Sequence, residues 1–149
     1  MKKLIIKNTI EINASIEKVW DVLTNPEKTK VYMFGCKTVT NWNVGSELLW
    51  KGNYEGKEMV FVKGFIVEII PPKKLIYSTF DPNSTIKDKP ENYLDVTYEL
   101  NENNGKTTLI VSQGDYSKVE NGEKRYQDSW NNGEGWNPIL IQIKELAEK

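Results

Sequence analysis

The 149 residues carry 20 lysine and arginine side chains against 21 aspartates and glutamates, a formal net charge of -1, and no histidine. A balance so near neutral builds no field that would draw in a phosphate backbone or an anionic bilayer, so neither nucleic acid nor a membrane surface is an expected partner. Residues 1–149 fall in the single-domain range, where about 70% of the unfolded surface can be buried around one core. Hydrophobic residues make up 38%, and five Trp, seven Tyr and four Phe supply large rings for a core or a pocket wall.

The start, Met1-Lys2-Lys3-Leu4-Ile5-Ile6-Lys7, imitates a secretory leader, but Lys7 and Glu11 interrupt its apolar stretch. Residues 3–12 instead alternate around Leu4, Ile6, Thr9, Ile10 and Ile12 with no Gly or Pro, which predicts a strand with one buried face. Ser15 is placed to cap a short helix whose apolar positions are Ile16, Val19, Trp20 and Leu23. Asn25 caps a second one, with Pro26 at a first position where its missing N–H costs nothing, and that helix is expected to end near Phe34-Gly35.

From 36 to 113 the punctuation is that of an antiparallel meander, with turns at Gly45, Gly52-Asn53, Gly56, Pro71-Pro72, Pro82-Asn83 and Asn103-Asn104-Gly105. The intervening strand-like segments are rich in β-branched and aromatic residues. Gly64, inside the longest of them, predicts a bulge or bend that helps the sheet curl. Residues 114–135 are polar. The tail from Trp136 to Lys149 then places Trp136, Leu140, Ile143 and Ala147 on one helical stripe, broadened by Ile139 and Leu146. Pro138 leaves two readings: a helix beginning there, or one that starts before Trp130 and kinks at the proline. No apolar run approaches the roughly 18 residues of a membrane span, and the single Cys36 has no internal disulfide partner, so a cytoplasmic location is expected.

Several short motifs recur in order: Ala14-Ser15-Ile16-Glu17-Lys18-Val19-Trp20, Phe34-Gly35, Trp42-Asn43-Val44-Gly45-Ser46, Trp50-Lys51-Gly52, Ile70-Pro71-Pro72-Lys73-Lys74-Leu75, Val96-Thr97-Tyr98-Glu99-Leu100 and Gly135-Trp136. In that order they resemble the START-like (SRPBCC) superfamily, in its branch of activator of heat-shock-protein-90 ATPase homologue-like proteins. The resemblance implies an α+β helix-grip fold, like that of the birch-pollen allergen. In it a curved antiparallel sheet of about six strands wraps a long C-terminal helix, and two short helices follow the first strand. It also implies a bacterial protein from a branch where most bacterial members lack an assigned activity.

The absence of histidine removes the commonest general base, the commonest metal ligand and every Ser-His or Cys-His nucleophile pair, so catalysis is disfavoured and no metal or cofactor is expected. Cys36 reads as a small residue at a helix-to-strand junction rather than as a nucleophile. Asp21, Glu47, Glu55, Glu58, Glu68, Asp81, Asp95 and Glu99 read mostly as solvated, with Glu58 and Glu68 flanked by apolar positions that would let one of them point inward.

The aromatic residues are more informative, because a cavity beneath a helix needs rings that form walls without filling the centre. Parity places Tyr98 with Leu94, Val96 and Leu100, and Tyr77 with Leu75. The expected lining is Trp50, Phe61, Phe65, Tyr77, Tyr98, Trp130, Trp136 and Leu140, with Tyr32 and Phe34 at the mouth. A packed core uses the same residues, so both outcomes remain open here. The expected function is to bind a small hydrophobic or amphipathic molecule, as monomer or homodimer. The alternatives are a cyclase, dehydratase or hydrolase using a cavity carboxylate and Tyr hydroxyls, or a co-chaperone-like interaction module.

Overall fold

A computed structural model describes residues 3–149, so Met1 and Lys2 of the leader-like start lie outside the described residues. Strand β1 (Ile6–Ile12) leads into α1 (Ile16–Thr24) and α2 (Pro26–Tyr32). The caps are those the sequence implies: Ser15 Oγ accepts from the Lys18 N–H at 3.3 Å, and Asn25 Oδ1 accepts from the Glu27 N–H at 3.0 Å. Val19, Val22 and Leu23 form the buried stripe of α1. Strands β2 (Lys37–Val39), β3 (Glu47–Tyr54), β4 (Lys57–Ile70), β5 (Lys74–Thr79), β6 (Leu94–Asn103) and β7 (Lys106–Gly114) follow, then α3 (Gly122–Trp130) and α4 (Asn137–Glu148).

The strands form one antiparallel sheet in the order β1-β7-β6-β5-β4-β3-β2. There are seven strands rather than about six, because β2 pairs with β3 through only three residues and buries only Thr38, too little for an alternation to show. On β6, Leu94, Val96, Tyr98 and Leu100 are buried and Asp95 and Glu99 exposed, as parity requires. The β6–β7 hairpin turns on Asn104 and Gly105, both with positive φ (54° and 78°), the geometry of a type I′ turn.

Gly64 acts through close approach. The ladder irregularities fall on either side of it, between Trp50 and Lys51 on β3 and between Ile66 and Glu68 on β4, while a Cβ at Gly64 would stand 1.7 Å from the Ser78 carbonyl oxygen. The bare glycine lets β5 press onto β4, where Ser78 Oγ accepts from the Phe65 N–H at 2.9 Å.

The C-terminal region resolves the two readings of Pro138. A helix does precede it, but α3 and α4 are separate. Between them Asn131, Asn132, Gly133 and Gly135 all have positive φ, and Pro138 sits in the first turn of α4, where its missing donor is harmless. The final helix is therefore 12 residues long, and Leu140, Ile143 and Ala147 are fully buried against α1, α2 and β1. Asp115, just past β7, accepts from the N–H of Leu4 at 2.9 Å and from the N–H and hydroxyl of Ser117, tying the chain before β1 to the end of its neighbour β7. Those bonds, the Leu4 N–H first and the Ser117 hydroxyl next, hold its carboxyl at about 2.

Gly64→Ala should cost about 3 kcal/mol, at the severe end for overpacking, as read by urea unfolding. Asp115 favours folding above its unfolded value of 3.8 and loses that contribution as pH falls through about 2. Asp115→Asn should therefore flatten the acid limb of a pH-stability curve in that window.

Candidate functional site

The inward faces of β3, β5 and β6 bring Trp50, Tyr77 and Tyr98 side by side. Ring centroids are 5.8 Å apart for Trp50–Tyr77 and 5.5 Å for Tyr77–Tyr98, and Trp136 at the start of α4 meets Tyr98 edge-on at 6.1 Å. The Tyr77 and Tyr98 hydroxyls share a hydrogen bond of 2.8 Å, and Tyr32 donates to the Leu23 carbonyl at 2.9 Å. Burial pushes all three phenols well up from the ordinary tyrosine value. Trp136 is fixed from two sides: its backbone N–H donates to Asn8 Oδ1 at 2.9 Å and its indole N–H to Gln113 Oε1 at 3.1 Å.

Above this aromatic row lies a cavity of about 560 Å³, a volume in the range of small-molecule sites. Its floor is Trp50, Val62, Tyr77, Leu94 and Val96 of the sheet. Met33 and Phe34 stand at one side, Trp136 and Ile139 at another, and the roof is the segment from Tyr116 through α3 to Gly135. That roof is anchored by Asn92, a buried side chain that accepts from the Glu120 N–H at 3.0 Å and donates to the Lys87 carbonyl at 2.9 Å.

Of the residues expected from sequence, Trp50, Tyr77, Trp136 and Phe34 line the cavity. Phe34 is 81% exposed, held outward by a left-handed φ of 50° in the turn after α2. Tyr32, Tyr98 and Leu140 are fully buried in the layer beneath and are packing residues rather than surface of the cavity. Phe61 does not line the cavity: it is the extra residue of the β3–β4 irregularity and packs against the core beside Gly52, its ring within 3.3 Å of where a Gly52 Cβ would be. Phe65 lies on the outer face, where it stacks with Tyr93 at 6.3 Å, since the same irregularity shifts the parity of β4. Trp130, half-exposed, packs over Gly133 outside the cavity.

Glu58 and Glu68 both point outward, in ion pairs with Lys51 and Lys74 at 3.7 and 3.2 Å. Though exposed at its edge, the Asp95 carboxyl is partly desolvated and pushed up in a groove of about 890 Å³ on the outer face, beside Phe65 and Val67 and away from the aromatic row. Cys36 is buried and its thiol is pushed up by that burial, which makes it a poor nucleophile. Among the described residues, no group of three or more Cys, Asp and Glu is placed to hold a metal ion.

The polar lining is what sequence reasoning missed. Gln113 follows Leu109 and Val111 at alternate positions on β7, so a polar side chain at an inward position was there to be read. Tyr116, Arg125 and Ser129 come from the polar segment, where no periodicity marks an inward side.

A family described as "Activator of Hsp90 ATPase homolog 1-like protein" matches residues 13–148. The chain belongs to this family. A protein from Cytophaga hutchinsonii, known from a solution structure, is 36% identical over 97% of this chain and 99% of its own, with a TM-score of 0.69. The Aha1 dimer of Colwellia psychrerythraea is 18% identical over 97% of this chain and 96% of its own (TM-score 0.67). An HSP90 activator from Plasmodium falciparum is 15% identical over 92% and 94% (TM-score 0.63). These last two likenesses carry the fold alone. No protein with a curated description matches the chain. Among the described residues no helix is long and apolar enough to cross a membrane.

Tyr98→Phe should cost about 1–2 kcal/mol by leaving the buried Tyr77 hydroxyl without its partner. The raised phenols also fix a sign. They ionise more readily in the unfolded chain, so stability is full below the ordinary value of 10.0 and falls as pH rises above it. Thermal melts at increasing pH should show that decline, and Tyr77→Phe should reduce its slope.

Proposed function

We propose that the domain is a non-catalytic binding module that holds a small hydrophobic or amphipathic molecule between its sheet and its C-terminal helices. One observation carries the reading: a cavity of about 560 Å³ stands open above the row Trp50–Tyr77–Tyr98–Trp136 rather than being filled by it. The apolar floor of so open a cavity faces water, and an occupant with an apolar body would cover it.

The enzyme alternative asked for an acidic group desolvated inside the cavity. Asp95, the carboxyl that burial raises, is on the opposite face of the sheet. The co-chaperone alternative has its support in what two neighbours are called, and at 15–18% identity those likenesses carry the fold alone.

A thermal-shift and native mass-spectrometry screen against lipids, flavonoids and polyketide-like compounds should find ligands that raise the melting temperature. Ile139→Trp places a ring in the cavity from α4, and it should abolish that shift while the protein stays folded. Binding that survives Ile139→Trp unchanged, or a screen with no hit, contradicts the proposal.

A further inference from the structure

The cavity is apolar at its floor but not at its roof end. There Tyr116 is 1% exposed, and its hydroxyl is, among the described residues, the one buried side-chain nitrogen or oxygen with no hydrogen-bond partner. Ser129, which also lines the cavity, is near enough to act weakly on that hydroxyl without reaching hydrogen-bond geometry, and Arg125 stands beside both. A buried polar group left unpaired in a native fold calls for an explanation, and a ligand that pairs with it is one.

Two neighbours share the same bias towards donation. Arg125 spends Nη1 on the Asn92 and Glu120 carbonyls, at 3.2 and 3.5 Å, and among the described residues no carboxylate lies within 4.0 Å of it. A guanidinium has five N–H donors, so most of its capacity is unspent. Gln113 is oriented by Trp136: an indole N–H can only donate, so the amide oxygen must face it, and the amide NH₂ is left without a partner among the described residues. Of the acids nearby, Asp128 pairs with Lys124 at 3.0 Å, while Asp81 and Glu120 act on Arg125 only from beyond ion-pair distance.

We infer that the cavity selects an amphipathic carboxylate, with its apolar body on the aromatic floor and its carboxylate accepting hydrogen bonds from Tyr116, Arg125 and Gln113. The inference rests on the cavity-binding reading above and adds the chemistry of the head group. A carboxylate supplies acceptors for several donors at once and would give Arg125 the close charged partner that neither Asp81 nor Glu120 provides.

Isothermal titration calorimetry near neutral pH tests it with two scaffolds, each carrying three head groups: dodecanoate, dodecanol and dodecylamine, and naphthylacetate, naphthylethanol and naphthylethylamine. On the better-fitting scaffold the carboxylate should bind about tenfold or more tightly than the alcohol. Arg125→Gln should remove most of that preference, weakening the carboxylate by about tenfold more than it weakens the alcohol. Tyr116→Phe, which keeps the ring and its packing, should weaken the carboxylate selectively even if Arg125→Gln does not fold. Equal affinity for carboxylate and alcohol, or tightest binding by the amine, overturns the inference while leaving cavity binding intact. No binding by any of the six compounds removes both.

Discussion

The structure depends on how Trp136 is held. Its indole is edge-on to Tyr98 and donates to Gln113, and its backbone N–H is taken by Asn8 in the middle of β1. Gly135 must precede it, because a Cβ there would stand 2.5 Å from Asn8 Oδ1 and the backbone is left-handed, with φ 51°. The chain therefore divides at this point. Everything after Trp136 packs into the core through Leu140, Ile143 and Ala147, and the segment before it is lifted over the sheet as a roof.

That division explains why a cavity exists at all. A single straight helix from 122 to 148 would lay one stripe along the sheet and fill the space. Instead α3 ends in a run of left-handed residues, Asn131, Asn132 and Gly133, and begins after another, Asn121. Asparagine and glycine adopt this conformation at little cost, so the break is written into the residue types. Gly122 allows α3 to start hard against the backbone of Tyr116 within the roof, since a Cβ there would meet the Tyr116 carbonyl oxygen at 1.8 Å. The roof is consequently polar and the floor apolar, the asymmetry an amphipathic occupant requires.

Much of this was legible in the sequence wherever a face is fully buried. The caps at Ser15 and Asn25, the parity of β6 and the stripe of α4 all follow from residue spacing, because burial on one side forces periodicity. The reading weakened where that force is absent. Phe65 looked inward by composition, but the irregularity between β3 and β4 changes which side chains of β4 share a face, and Gly64 signals a bend without fixing the residue at which the parity changes. Strand β2 is too short to alternate. In the roof, Tyr116 and Arg125 face the cavity from a segment held by side-chain-to-backbone bonds such as those of Asn92, and such bonds leave no pattern. Gln113 is the instructive case: a polar residue at an inward position of an otherwise apolar face is visible in sequence once the strand is recognised.

The central claim is that the space between the aromatic floor and the roof receives the ligand. Intermolecular nuclear Overhauser effects between a bound naphthyl probe and side-chain protons of the protein test it directly. The account predicts contacts from the naphthyl ring to Val96, Ile139 and Trp136, which line one cavity from three directions. Contacts to Phe65, Val67 and Tyr93 would place the probe in the groove on the outer face of the sheet and contradict it.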